Sequence, residues 1–179
     1  LMSKSHIFSV NIRIDSMEKF LLNELTMKKT YLILIFQCFF SVILPNEIEN
    51  NKILNIMVNH NYELKDQKYD NLNAYFCFPL SYNDHEEVKT AMNVRELKKL
   101  LKKLRKELPR NHSHKDWKKM NVKILNEGIA LVNGMYSRID KSNATYFTGA
   151  AMYSFRKEDD KWKIFSITPF KPYNYFEFE

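Results

Sequence analysis

Apolar residues alternate with small or polar ones along three successive stretches of the C-terminal third, Gly128 to Arg138, Thr145 to Arg156 and Lys161 to Thr168. A two-residue period puts neighbouring side chains on opposite faces of a strand, so the pattern predicts three strands joined as an antiparallel meander. In the first, Ile129, Leu131, Asn133 and Met135 share one face and Ala130, Val132, Gly134, Tyr136 and Arg138 the other. Both faces are apolar or small, which predicts a strand covered on both sides, or covered on one and lining a pocket on the other. The second stretch is rich in aromatics and broken by Gly149, where a strand can bend or bulge. Asp140 to Asn143 and Lys157 to Asp160 carry hairpin-turn residues, and Asn143 tolerates left-handed backbone.

Upstream the period lengthens. Ile48 to Gln67 reads as a helix with Ile53, Met57, Asn61 and Leu64 near one stripe, widened by Ile56 and Val58. Asp70 is placed to cap a short second helix through Leu72 and Tyr75, ended by Phe78-Pro79, and Ser81 to Val88 follows as a loop or short strand. Asn93 to Leu108 is the clearest helix: Val94, Leu97, Leu100, Leu101, Leu104 and Leu108 recur at helical spacing, with Asn93 as cap and Pro109 as stop. The expected class is therefore α+β, with helices packed on one strongly curved antiparallel sheet.

Several stretches also resemble a family: Leu64-Lys-Asp66 through Asp70-Asn-Leu72 to Tyr75 and Pro79, then Ala130-Leu-Val132-Asn-Gly134-Met-Tyr136-Ser-Arg138, then Tyr153-Ser-Phe155-Arg-Lys157 and Trp162-Lys-Ile164. Together they resemble the nuclear transport factor 2-like superfamily, in particular its uncharacterised, SnoaL-like bacterial members, over about Ile48 to Phe170. Asn143 stands where many relatives place a turn glycine. The resemblance implies a cone-shaped fold whose sheet and helices enclose a pocket, frequently in a homodimer. The superfamily includes isomerases, dehydratases, cyclases and binding modules, so fold does not settle function.

Chemistry in such a pocket needs an acid or base whose surroundings shift its pKa toward neutrality. Residues expected within reach are Tyr62 and Asp66 on the first helix, Tyr69 and Asp70 at its end, Tyr82 and His85 at the mouth, and Tyr136 and Tyr153 on the meander. Asp66, His85 and Tyr136 are the catalytic candidates; Tyr62, Tyr82, Tyr136, Met152 and Tyr153 are the expected pocket lining. In the ketosteroid isomerases and scytalone dehydratases of the superfamily that this chain resembles, buried Asp, His and Tyr carry proton transfer; their complete sets are not reproduced in this sequence. The alternatives are a non-catalytic domain that binds a small, largely apolar ligand or serves in dimerisation, and a cofactor-independent lyase or isomerase. The first is favoured by a meander rich in tyrosine and poor in carboxylates.

Charge changes this picture little. The chain carries a net charge of +7, and its excess concentrates between Arg95 and Lys119, where Lys115 is one of many cations. The helical part reads as leucines on the sheet and lysines in water, and with no recognised motif beside it no nucleic-acid partner is expected. His112-Ser-His114 with Asp116 falls in a basic loop and lacks the spacing of a zinc site, so neither metal nor cofactor is expected. Cys77, between Phe76 and Phe78, reads as a small buried hydrophobe.

Residues 27–47 begin Met27-Lys28-Lys29 and continue into an apolar run from Tyr31 to Leu44, the shape of a signal or tethering segment, too short for the roughly 20 residues that span a bilayer. Residues 1–26 are read as a leader upstream of initiation at Met27, and 48–179 as a single domain. No small-residue cleavage site follows Ser41, and Cys38 lacks a lipobox. Export or membrane tethering in a periplasmic setting is the expectation, with a cytoplasmic chain carrying a buried N-terminal helix as the alternative. Fusing a reporter to Met27 to Leu44 is expected to give exported or membrane-bound activity; purely cytoplasmic activity overturns it.

Overall fold

Ile53, Met57 and His60 recur at the spacing of one helical face and are all but fully buried, which is why residues 48–65 form an amphipathic helix, α1. The computed structural model describes Lys29, Glu47 to Asp66, Tyr69 and Asn71 to Phe178. The chain divides into two units, Leu1–Glu47 and Ile48–Glu179, and the helices and strands below belong to the second. Apart from Lys29 and Glu47, the leader and the signal-like segment lie outside the described residues, as does Asp70 with its expected cap. Among the described residues no helix is long and apolar enough to cross a membrane.

After a single 3-10 turn at Leu72–Ala74, six strands follow: β1 (Phe76–Asn83), β2 (Val88–Ala91), β3 (His112–Asn126), β4 (Ile129–Asp140), β5 (Thr145–Glu158) and β6 (Lys161–Phe170). Helix α2, Val94–Lys106, lies between β2 and β3. The sheet order is β2-β1-β6-β5-β4-β3, antiparallel throughout except for the parallel β1–β6 pair. The α+β class and the curved sheet beneath two helices are as expected. The curvature has a local cause, since register shifts interrupt β3 at three places, β4–β5 at Arg138/Ile139 and β5–β6 at Ser154/Phe155. Each extra residue bends and twists its strand.

Two strands depart from the sequence reading. Phe78-Pro79 does not end a helix; Pro79 lies inside β1, between Phe76, which pairs with Ile164, and Leu80, which pairs with Ala91. That irregular stretch asks no ladder hydrogen bond of a residue without an N–H. His112 to Lys119 is not a loop but the start of β3, a strand of 15 residues paired along its length with β4. Its lysines lie on the sheet edge, where charge discourages pairing with another chain.

The turns and caps follow sequence chemistry. Asn143 takes φ 64°, and Asp159 and Asp160 take φ 48° and 60° in the β5–β6 hairpin. Asn93 accepts from the Glu96 N–H at 3.1 Å while the Glu96 carboxylate accepts from the Met92 N–H at 2.8 Å, a reciprocal cap on α2. Lys103, Arg105 and Lys106 close that helix, where cations favour the dipole.

Between α1 and the sheet, Phe76, Leu80, Leu97, Val132, Phe155 and Ile164 form a buried core. Trp117 joins the layers: its Nε1–H donates to the Met57 carbonyl at 3.2 Å, and its ring packs edge-on against Tyr136 and Tyr153. On the other face of β3 and β4, the registered pair Asn121 and Asn133 binds the C-terminal tail, Asn121 accepting from the Phe178 N–H at 2.9 Å and Asn133 donating to the Phe176 carbonyl. The two apolar faces of β4 thus meet the core on one side and the tail on the other.

Gly134 is the place where a side chain would break this arrangement, because a Cβ there would sit 2.7 Å from Trp117 Cζ3. The ring is fixed by its bond to α1 and cannot easily give. Gly134→Ala is expected to lower unfolding free energy by about 1–3 kcal/mol, the usual cost of overpacking; unchanged stability in chemical denaturation would show that the ring moves aside.

Candidate functional site

The leucine stripe of α2 is shared between core and cavity. Leu97 is fully buried in the core and Leu101 packs against it, and both, with Leu100, Leu104 and Leu108 just beyond the helix, line a cavity of about 440 Å³ whose opposite wall is the concave face of the sheet. That volume lies within the usual range for small-molecule sites. Alternation carries Tyr136 and Arg138 of β4, Ala151 and Tyr153 of β5, and Ile167 and Pro169 of β6 to the same side.

Lys115 of β3 is the centre of its polar part. The ammonium lies 4.0 Å from the Trp117 ring centroid, 5.2 Å from that of Tyr136 and 5.8 Å from that of Tyr153. It donates to the Tyr153 hydroxyl at 3.3 Å, and no carboxylate among the described residues pairs with it. Three ring faces attract a cation, a contribution of roughly 2 kcal/mol when desolvated, but they do not neutralise it. Burial first, then the nearby Arg138 guanidinium, bring the Lys115 pKa down to about 7. The Asn61 amide donates to the Lys115 carbonyl at 2.6 Å and fixes the strand against α1.

The neighbouring imidazoles are held neutral. His60 donates from Nδ1 to the Ile56 carbonyl at 3.0 Å, and burial, reinforced by the Lys115 charge, brings its pKa down to about 3. His112 Nδ1 shares a hydrogen bond of 2.7 Å with the Tyr146 hydroxyl, and burial together with Arg105 and Arg138 lowers its pKa to about 4. Burial pushes the Tyr153 and Tyr82 hydroxyls upward, so both stay protonated.

The structure separates the residues singled out from sequence. Tyr82, Tyr136 and Tyr153 line the cavity, as does Tyr69. Met152 pairs with Asn133 on the opposite face of the sheet, and Tyr62 is 61% exposed; neither lines the cavity. Asp66 is exposed at the end of α1. His85 is exposed in the β1–β2 turn with its Nε2 3.5 Å from a Glu86 carboxylate oxygen. Neither approaches Tyr136 within the cavity. Cys77 is buried, its thiol directed at the Ile164 carbonyl and its pKa raised chiefly by burial, so it is packed as a hydrophobe. Of the histidine pair expected in a loop, both lie on β3, His114 facing Asp116 at 3.3 Å. No group of three metal-ligating side chains occurs among the described residues.

Sequence reasoning missed Lys115, Arg138 and His60. The signal for Lys115 was its two-residue spacing from Trp117, hidden in a segment whose lysines read as solvated.

A family model described as NTF2-like protein (DUF6841) matches residues 55–172. No curated protein is similar in sequence. A Nostoc punctiforme protein of unknown function with a cystatin-like fold superposes with TM-score 0.59 at 12% identity, over 68% of this chain and 90% of that one. An NTF-2 like protein of unknown function from Shewanella oneidensis gives TM-score 0.54 at 16% identity, over 68% and 98%. A candidate scytalone dehydratase from Novosphingobium aromaticivorans gives TM-score 0.53 at 20% identity, over 69% and 84%. These likenesses establish a shared fold.

The Lys115 shift has a sign that can be measured. In the unfolded chain the amine holds its proton to about pH 10.4, whereas in the fold it loses it near pH 7. The unfolded state therefore binds more protons between those values, and stability should rise with pH from about 7 toward 9.5. Lys115→Met should flatten that rise in thermal melts; an equal rise in both proteins would show that the amine is not desolvated.

Proposed function

We propose that this chain, which belongs to the NTF2-like family DUF6841, binds a small, largely apolar ligand in the cavity of its cone and acts as a non-catalytic domain. The observation that carries this reading is the 440 Å³ cavity walled by leucines of α2 and apolar side chains of the sheet, with polar groups converging from both helices and from β1, β3, β4 and β5. Mostly apolar walls supply affinity, and sparse polar groups fix orientation. A leucine stripe left facing space instead of the sheet is costly unless something else covers it.

The lyase or isomerase reading draws on the Tyr153 hydroxyl and Lys115 amine, 3.3 Å apart inside the cavity, and on the fold shared with a candidate scytalone dehydratase. It has less behind it, since Asp66 and His85 stand in solvent and the lining tyrosines of β1 and β5 are held protonated.

Binding of the neutral fluorescent probe N-phenyl-1-naphthylamine tests the proposal. It should be saturable, and Leu104→Trp, which fills the cavity from α2, should weaken it at least tenfold. Tyr136→Phe should preserve fold and affinity, because ring burial is retained. No saturable binding, or binding indifferent to Leu104→Trp, removes the cavity as a ligand site. A reaction abolished by Tyr136→Phe at unchanged thermal stability would put the lyase or isomerase in its place.

A further inference from the structure

We infer that the ligand of this cavity is an anion, an apolar body ending in a carboxylate or comparable acidic head that lies against Lys115 and Arg138. The inference rests on the cavity being a ligand site and adds the charge of what fills it.

Charge balance carries the argument. Among the described lining residues, Lys65, Arg105, Lys115 and Arg138 stand against Glu107; Lys65 and Glu107 are both exposed, which leaves Arg105, Lys115 and Arg138 as the sheltered charges. Among the described residues Arg138 meets no carboxylate, and its guanidinium carbon lies 4.6 and 5.9 Å from the Phe147 and Tyr136 ring centroids. Lys115 uses one of three ammonium donors, on Tyr153. Isolated cations in apolar surroundings are costly unless an anion joins them.

Among the described residues, no element around Lys115 supplies that anion. His60 of α1 and His112 of β3 are held neutral by burial. Tyr82 of β1 and Tyr153 of β5 keep their protons. Tyr136 of β4 presents a ring to the ammonium, and the Asp116 carboxylate turns to His114. Arg105 of α2 adds a further cation, its guanidinium reaching the His112 carbonyl at 3.4 Å. A neutral ligand would leave both cations unanswered, and a cationic one would be repelled. An anion would pair with them and restore the proton that burial and Arg138 drive off Lys115 near pH 7.

Calorimetric titration of the full chain with benzoate and naphthalene-2-carboxylate, each beside its uncharged amide, separates charge from shape. The acids should bind at least tenfold tighter than the amides. Both carboxylates are fully ionised from pH 6 to 8, yet their affinity should fall about tenfold across that interval as free Lys115 loses its proton. At pH 8, binding should take up nearly one proton, read from the enthalpy difference between triethanolamine and Tris buffers, neither of which supplies a competing anionic head. Lys115→Met, checked for its fold by circular dichroism, should abolish the proton uptake and the preference for acids. Equal binding of acid and amide overturns the anion while leaving the cavity a ligand site. Acid preference without proton uptake, or unchanged in Lys115→Met, also overturns it. Failure of acids, amides and N-phenyl-1-naphthylamine alike removes the ligand site and the anion together.

Discussion

The Trp117 ring is the contact on which the remainder of the domain is built. Through Nε1 it is bonded to the Met57 carbonyl of α1, through its edges to Tyr136 and Tyr153, and through one face to the Lys115 ammonium. It fits only because Gly134, on the neighbouring strand, has no side chain. Helix, sheet and polar centre are thus located by one rigid group, and a large ring with a single donor suits a position that is apolar on most sides.

Curvature turns this contact into a chamber. Repeated register shifts along β3 to β6 bend the sheet around α1. Meanwhile α2, which follows β2, packs Leu97 into the core and turns Leu100 and Leu104 toward the cavity. The outcome is a packed end, where Phe76, Leu97, Phe155 and Ile164 exclude space, and an open end, where leucines and tyrosines face each other across it. A closed core would place more apolar surface in contact; the space is what the fold retains in its stead.

Placing an unpaired lysine in that space runs against stability, since a hydrophobic residue of similar volume would remove the desolvation penalty. Departures of this kind, where a local rule is broken without an evident structural gain, concentrate at sites of function. The fold is shared with proteins of very different sequence, so function has to be argued from the side chains in the cavity.

The sequence by itself determined the elements whose period is carried by side chains meeting a continuous surface. The β4–β6 meander, the α2 stripe with Asn93 as cap, and the turn at Asn143 were all readable, because each is fixed by alternation or by local backbone chemistry. The shared face of Tyr136 and of Tyr153 followed from alternation, whereas Tyr82, expected on a loop at the mouth, lines the cavity from β1. Only the tertiary structure decided the rest. β1 accommodates Pro79 because its partners leave that position unbonded, and β3 runs on from the alternating Met120, Val122 and Ile124 through the polar His112 to Asp116 because β4 pairs with it along its whole length. Met152 and Tyr153 are adjacent in sequence yet face opposite sides, and which side holds the cavity depends on where α1 and α2 pack. Lys115 reads as one cation in a solvated run; what makes it singular is the three rings and the absence of a described carboxylate around it, brought together from three strands.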